Sequence, residues 1–218
     1  DVEKIINKIQ SWSDVPVCLD SEGAQIRNQD MQNESIYFKK DSVVKIHHKQ
    51  VIGNSENISF TPSYVTSHFQ AGDTIRVDFN EVSLKVVEDK KEYLSAVVKK
   101  AGIVGSNKAT DIDRDIALDA ITMKDKNAFE IGLVNGVSNF SLSFTNKIED
   151  VIEMRNIIGN DSNLISKIES IKGVLNLREI LPVVDQILID RGDLSREISI
   201  EKIPYIQRRI ISFAKSKD

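Results

Sequence analysis

Two short apolar runs end in residues of the types that bind metal and phosphate. The first, Leu164-Ile165-Ser166-Lys167-Ile168-Glu169, closes on a lysine and a glutamate two positions apart. The second, Ile187-Leu188-Ile189-Asp190-Arg191-Gly192-Asp193-Leu194, closes on an arginine, a glycine and an aspartate. In an extended strand, residues i and i+2 face the same side. Lys167 and Glu169 therefore share one side at the carboxyl end of a strand, and the next strand delivers Asp193 to the same level. Two carboxylates and a lysine gathered there would hold a divalent cation and an anionic substrate. Taken alone, the same residues would also serve as a solvated strand end and an ordinary turn.

The elements that must position these groups can be read on both sides. From residue 117 onward, strand and helix patterns alternate. Thr122 and Asp125 predict a capping box that opens a helix through Phe129 and Leu133. A strand over 137–144 precedes a helix that Gly159 stops. The strand 164–169 precedes a helix over 173–180, and the strand 186–190 follows. Pro204 sits at the start of a final helix reaching Lys215. This alternation implies parallel βα units. At the other end, Val2, Ile5, Ile6, Ile9 and Trp12 fall on one helical face. A buried strand over 15–20 and a turn through Ser21-Glu22-Gly23 follow. Cys18, inside that apolar run, is expected to be a buried structural thiol. Between these regions the texture changes: strands are predicted over 42–47, 74–79, 82–87 and 93–98, with turns at Ala71-Gly72-Asp73 and Asn80-Glu81 and no helix. The organisation is an α/β architecture that opens over residues 1–26, is interrupted by a small all-β module 27–116, and resumes over 117–218. The strands outside the module number about four, too few to close a (β/α)₈ barrel, and would leave two unpaired edges.

The 218 residues carry a net charge of −4. Neither a basic stripe nor aromatic interleaving is present, which argues against nucleic acid as a partner. No apolar run has the length to span a bilayer, and no charged-then-apolar signal segment opens the chain. The single cysteine cannot form an internal disulfide and fits a reducing, cytoplasmic setting. The first residue is Asp1 rather than Met, directly within a helical pattern, so the chain reads as an excerpt of a longer protein.

Several segments, in order, resemble the pyruvate kinase family. Leu19-Asp20-Ser21-Glu22-Gly23-Ala24-Gln25-Ile26-Arg27 resembles its Leu-Asp-Thr-Lys-Gly-Pro-Glu-Ile-Arg segment. Ser143-Phe144 before Glu149-Asp150-Val151 resembles a strand-helix junction of that family, and Ser166-Lys167-Ile168-Glu169 its Lys-Ile-Glu-Asn block. Arg191-Gly192-Asp193-Leu194 resembles its Ala-Arg-Gly-Asp-Leu-Gly segment, and the β module sits where the family inserts its lid. The resemblance implies a partial (β/α)₈ TIM barrel with an inserted all-β lid, beginning after the family's second barrel strand and ending before its seventh. It implies phosphoryl transfer from phosphoenolpyruvate to ADP, giving pyruvate and ATP. Lys167 would be the catalytic cation, Glu169 and Asp193 would hold Mg²⁺ or Mn²⁺, and Asp20 with Ser21 would help bind K⁺. Arg191, Gly192 and Asp193 would contact substrate; Arg27, Lys108 and Ser143 would contact nucleotide. A full-length protein of this kind is expected to be a homo-oligomer, and an isolated piece to be inactive.

The chain departs from the family pattern at several positions. Glu22 stands for a lysine, Ala24 for a proline, Phe79-Asn80 for Asp-Gly, Asn146 for an arginine, and Asp190 for a small residue. A carboxylate about 5 Å from an anionic substrate would oppose binding by roughly 3 kcal/mol at an effective dielectric near 20. Two other readings remain open: a degenerate homologue that binds metal and enolpyruvate without turnover, and a metal-dependent lyase or aldolase on a similar barrel.

Overall fold

A computed structural model describes residues 1–23 and 25–216; Ala24 lies outside the described residues. The chain divides into two compact units, Asp1–Ala24 with Asp119–Asp218, and Gln25–Leu118. The junctions fall two residues from the expected 26/27 and 116/117.

The first unit is built on a four-stranded sheet, in the order Cys18–Asp20, Asn139–Leu142, Asn163–Ile168, Gln186–Ile189. Every pairing is parallel. The unit opens with α1 (Val2–Trp12). Parallel neighbours need crossovers, which α2 (Met123–Val134) and α3 (Ile148–Ile158) supply for the inner strands. α2 starts where Thr122 and Asp125 cap each other, and α3 stops at Gly159, whose φ of 77° suits glycine. Strand Asn163–Ile168 alternates strictly: Leu164, Ser166 and Ile168 are buried, whereas Ile165 and Lys167 are only half-buried. Leu164 and Ile168 join Phe140, Leu142, Phe129, Val151 and Met154 in one apolar core. Burying each such side chain contributes about 1.5–3 kcal/mol. The pleat thus sends Lys167 to the face away from that core.

Three expectations require correction here. The run 15–20 forms a strand only at Cys18–Asp20, and Cys18 is a free, exposed thiol rather than a buried one. Its strand is the sheet's edge, so one flank has no strand neighbour among the described residues. The helix expected over 173–180 is two short helices, α4 (Ile171–Leu175) and α5 (Leu177–Ile180). Asn176 breaks them apart, its amide donating to the Asn146 carbonyl at 2.7 Å. Asp193 lies in the first turn of α6 (Arg191–Glu197), just past the strand Gln186–Ile189. The final helix, α7 (Ile203–Lys215), carries Pro204 in its first turn.

The second unit is a closed barrel of seven strands: Ala109–Ile112, Ile26–Asn28, Asn57–Thr61, Val43–His47, Tyr93–Lys100, Val82–Lys90 and Thr74–Val77. Its neighbours are antiparallel except Val43–His47 with Asn57–Thr61. Inward residues such as Val44, Ile46, Phe60, Ile75, Leu84 and Ala96 fill it. The unit is not helix-free: Ser63–His68 forms a 3₁₀ helix after Pro62. The turn at Asn80-Glu81 belongs to a longer loop, residues 78–81, in which Asp78, Phe79 and Asn80 all have positive φ. That geometry suits aspartate and asparagine but is strained for Phe79.

Candidate functional site

The site is assembled at the carboxyl ends of the parallel strands. Lys167, the penultimate residue of its strand, extends its ammonium toward three oxygens. Nζ lies 3.0 Å from Asp20 Oδ2, 3.0 Å from Ser143 Oγ and 3.1 Å from Glu169 Oε1. Three N–H donors thus meet three acceptors. Burial pulls the lysine's pKa down, but Glu169 and Asp20 overcome it, and the net shift is upward. Lys167 is therefore a fixed positive charge at neutral pH.

Glu169 is 1% exposed. Its Oε2 accepts the Phe144 N–H at 2.6 Å. Phe144 has φ 49°, a left-handed conformation rare for a bulky residue. The strain turns its amide onto the carboxylate, a device typical of sites whose surroundings over-determine the backbone. Desolvation raises the Glu169 pKa, and the nearby Asp193 adds to the rise; the Phe144 N–H and Lys167 oppose it. A buried, electron-rich oxygen of this kind gains from a bound cation.

Ligand atoms of Glu169, Asp190 and Asp193 all lie within 4.8 Å of one another. Three hard carboxylate oxygens at that spacing suit Mg²⁺, Mn²⁺ or a similar divalent ion. Asp193 Oδ1 is also held by Arg196 Nη1 at 3.0 Å. Asp190 caps α6: its Oδ1 accepts from Gly192 N at 2.9 Å and Asp193 N at 3.2 Å. The Gly192 amide, which the resemblance places near substrate, donates to Asp190 in this structure. Arg191 opens α6 and is exposed.

Asp20 and Ser21 stand beside the lysine. Asp20 Oδ1 accepts from Ser141 Oγ at 2.6 Å and lies 3.2 Å from Ser143 Oγ. Ser21 is buried; its Oγ accepts the Ser143 N–H at 2.8 Å, and its carbonyl accepts the Ser143 hydroxyl at 2.7 Å. Gly23 lies so near Ser143 that an added Cβ would come within 2.8 Å of the serine's own Cβ, and its φ is +72°. The remaining two nucleotide candidates belong to the barrel unit. There Arg27 Nη1 donates to the Asn107 carbonyl at 2.7 Å, and Lys108 Nζ pairs with Asp78 at 3.3 Å.

Ser141 and Arg196 are not singled out by the sequence motifs, and Asp190 figures there only as a departure. The signals were present. Ser141 and Ser143 alternate onto one strand face, Arg196 follows Asp193 by one helical turn, and an aspartate ahead of a helix start is a cap signal.

The described residues contain no helix long and apolar enough to cross a membrane. The family model for the pyruvate kinase barrel domain matches residues 1–218. A pyruvate kinase of Thermotoga maritima is 32% identical over 205 residues, covering 92% of this chain and 44% of that protein. One from Bacillus licheniformis is 32% identical over 206 residues, covering 91% of this chain and 35% of that protein. One from Clostridium acetobutylicum is 31% identical over 215 residues, covering 95% and 46%. The chain thus spans less than half the length of these curated relatives. By the match of its whole length, the chain belongs to the pyruvate kinase family.

Proposed function

We propose that this chain forms the catalytic portion of a phosphotransferase moving a phosphoryl group from phosphoenolpyruvate to ADP, giving pyruvate and ATP. The observation that carries the reading is the Lys167 ammonium 3.1 Å from buried Glu169, itself one corner of a three-carboxylate cluster. Phosphoryl transfer asks little covalent chemistry of a protein; positioning and charge neutralisation carry it. The bond from the enol oxygen to phosphorus breaks, a β-phosphate oxygen of ADP forms the new bond, and the enolate carbon takes a proton. Lys167 faces the moving phosphoryl group and offsets its negative charge. Glu169 and Asp193 hold Mg²⁺ or Mn²⁺, with Asp190 in reach of the same ion. When bound, the ion supplies Lewis-acid neutralisation of substrate oxygens. Asp20 and Ser21 present oxygens to K⁺. Both Asp20 oxygens already have partners, but a carboxylate has about four acceptor positions and can share them. Arg191, Gly192 and Asp193 contact the substrate, and Arg27, Lys108 and Ser143 the nucleotide.

In this reading the four-stranded unit belongs to a (β/α)₈ barrel and the seven-stranded unit is its lid, in a cytoplasmic homo-oligomer. Turnover of the full-length protein with phosphoenolpyruvate, ADP, Mg²⁺ and K⁺, with pyruvate detected by lactate dehydrogenase, tests it: Lys167→Met should abolish transfer with the fold intact. Wild-type turnover in that variant would overturn the assignment. One observation favours a second reading. Asp190 occupies amides that would otherwise align an anionic substrate for transfer, as expected of a homologue that binds metal and enolpyruvate without turning over. Binding of metal and phosphoenolpyruvate with no turnover in the full-length wild-type protein would select it.

A further inference from the structure

Asp20 is the only one of Lys167's three partners with a largely exposed side chain, at 53%. A carboxylate so placed would swing into water unless something else held it. Two hydroxyls lie near its Oδ1, Ser141 at 2.6 Å and Ser143 at 3.2 Å. Each has one proton to donate. The Ser143 proton has a shorter alternative in the Ser21 carbonyl at 2.7 Å, while its oxygen accepts from Lys167. Ser143 is thus committed elsewhere, and Ser141 is the hydroxyl that fixes Asp20. The sheet makes this rigid: Asp20 and Ser141 are direct register partners on adjacent parallel strands, and Ser141 is buried.

We propose that Ser141 is a positioning residue that acts through Asp20 to hold the Lys167 ammonium at the transfer site; the inference rests on Lys167 being the group that meets the phosphoryl. Oδ1 of Asp20 is tied to Ser141, so Oδ2 is aimed at Nζ. Ser143 and Glu169 alone leave the third ammonium proton to water and the lysine chain free to turn about the two remaining bonds.

The test needs no turnover. In protein labelled with ¹⁵N-lysine, the Nζ–H signal of Lys167 is assigned by its loss in Lys167→Met. It should be protected from water exchange in the wild type and in Ser141→Thr, which keeps the hydroxyl. Ser141→Ala should exchange roughly tenfold faster, the scale of one lost bond to a charged group. Asp20→Asn, which leaves the buried strand face untouched, should show the same acceleration. No protected signal in the wild type, wild-type exchange in Ser141→Ala or Asp20→Asn, or failure of Ser141→Thr to restore protection would overturn the proposal. Wild-type turnover in Lys167→Met would instead sink the kinase reading, leaving the role of Ser141 as anchor of the lysine to stand on the exchange data.

Discussion

Replacing Asp190 by asparagine should make the metal-free protein more stable and bind metal more weakly. Asp190, Glu169 and Asp193 bring ligand oxygens within 4.8 Å of one another. At that distance two unit charges repel by about 3.5 kcal/mol at an effective dielectric of 20 and about 0.9 kcal/mol in water. Asp190 and Asp193 are half-buried, and Arg196 and Lys167 offset part of the charge. A net relief of about 1–2 kcal/mol follows, which for a chain this size is roughly 2–8 °C in Tm. Asparagine retains the oxygen that accepts from Gly192 and Asp193, so the α6 cap survives. Asp190→Ala removes that cap too, which costs about 1 kcal/mol. It should melt below Asp190→Asn. With Mn²⁺ the order changes, because a lost anionic oxygen weakens binding to a hard cation. The thermal shift produced by a saturating Mn²⁺ titration should be smaller in both variants than in the wild type. An Asp190→Asn protein less stable than wild type without metal would show that repulsion does not dominate the cluster. An undiminished Mn²⁺ shift would show that Asp190 is no ligand.

Other predictions concern the scaffold. For Asp185, burial pushes the pKa up, but the Leu164 N–H and Arg155 outweigh it and the net shift is downward from 3.8. Its contribution to stability is therefore present above 3.8 and is lost as pH falls through the lower folded value. Urea unfolding as a function of pH should show that acid loss in the wild type and a flatter profile for Asp185→Asn. A Cβ on Gly173 would meet the Thr145 carbonyl at 2.5 Å. Gly173→Ala should cost about 1–3 kcal/mol by displacing backbone, read as a lower denaturation midpoint.

The regular elements of the fold were legible because they follow local rules. The capping box at Thr122, the stop at Gly159 and the proline at the head of α7 each act within one helical turn. The strand over Asn163–Ile168 betrayed itself by alternation. What escaped depended on distant partners. Asn176 breaks the helix over 173–180 by reaching Asn146, thirty residues away. Cys18 looked buried because apolar residues flank it, yet burial is set by its strand's place at the sheet edge. In the site, Lys167 and Glu169 were readable from their spacing. The role of Ser141 was not, because it requires knowing that the Asn139–Leu142 strand pairs with Cys18–Asp20 and sets Ser141 opposite Asp20.

The proposed chemistry stands on Glu169 and Asp193 holding a divalent ion beside the Lys167 ammonium. Anomalous diffraction from crystals grown with Mn²⁺ and phosphoenolpyruvate would locate both. One Mn²⁺ peak bonded to Glu169 and Asp193 is expected, with Lys167 Nζ, still held by Asp20, against a phosphate oxygen. Manganese bound elsewhere, or phosphoenolpyruvate bound away from Lys167 Nζ, would rule that chemistry out.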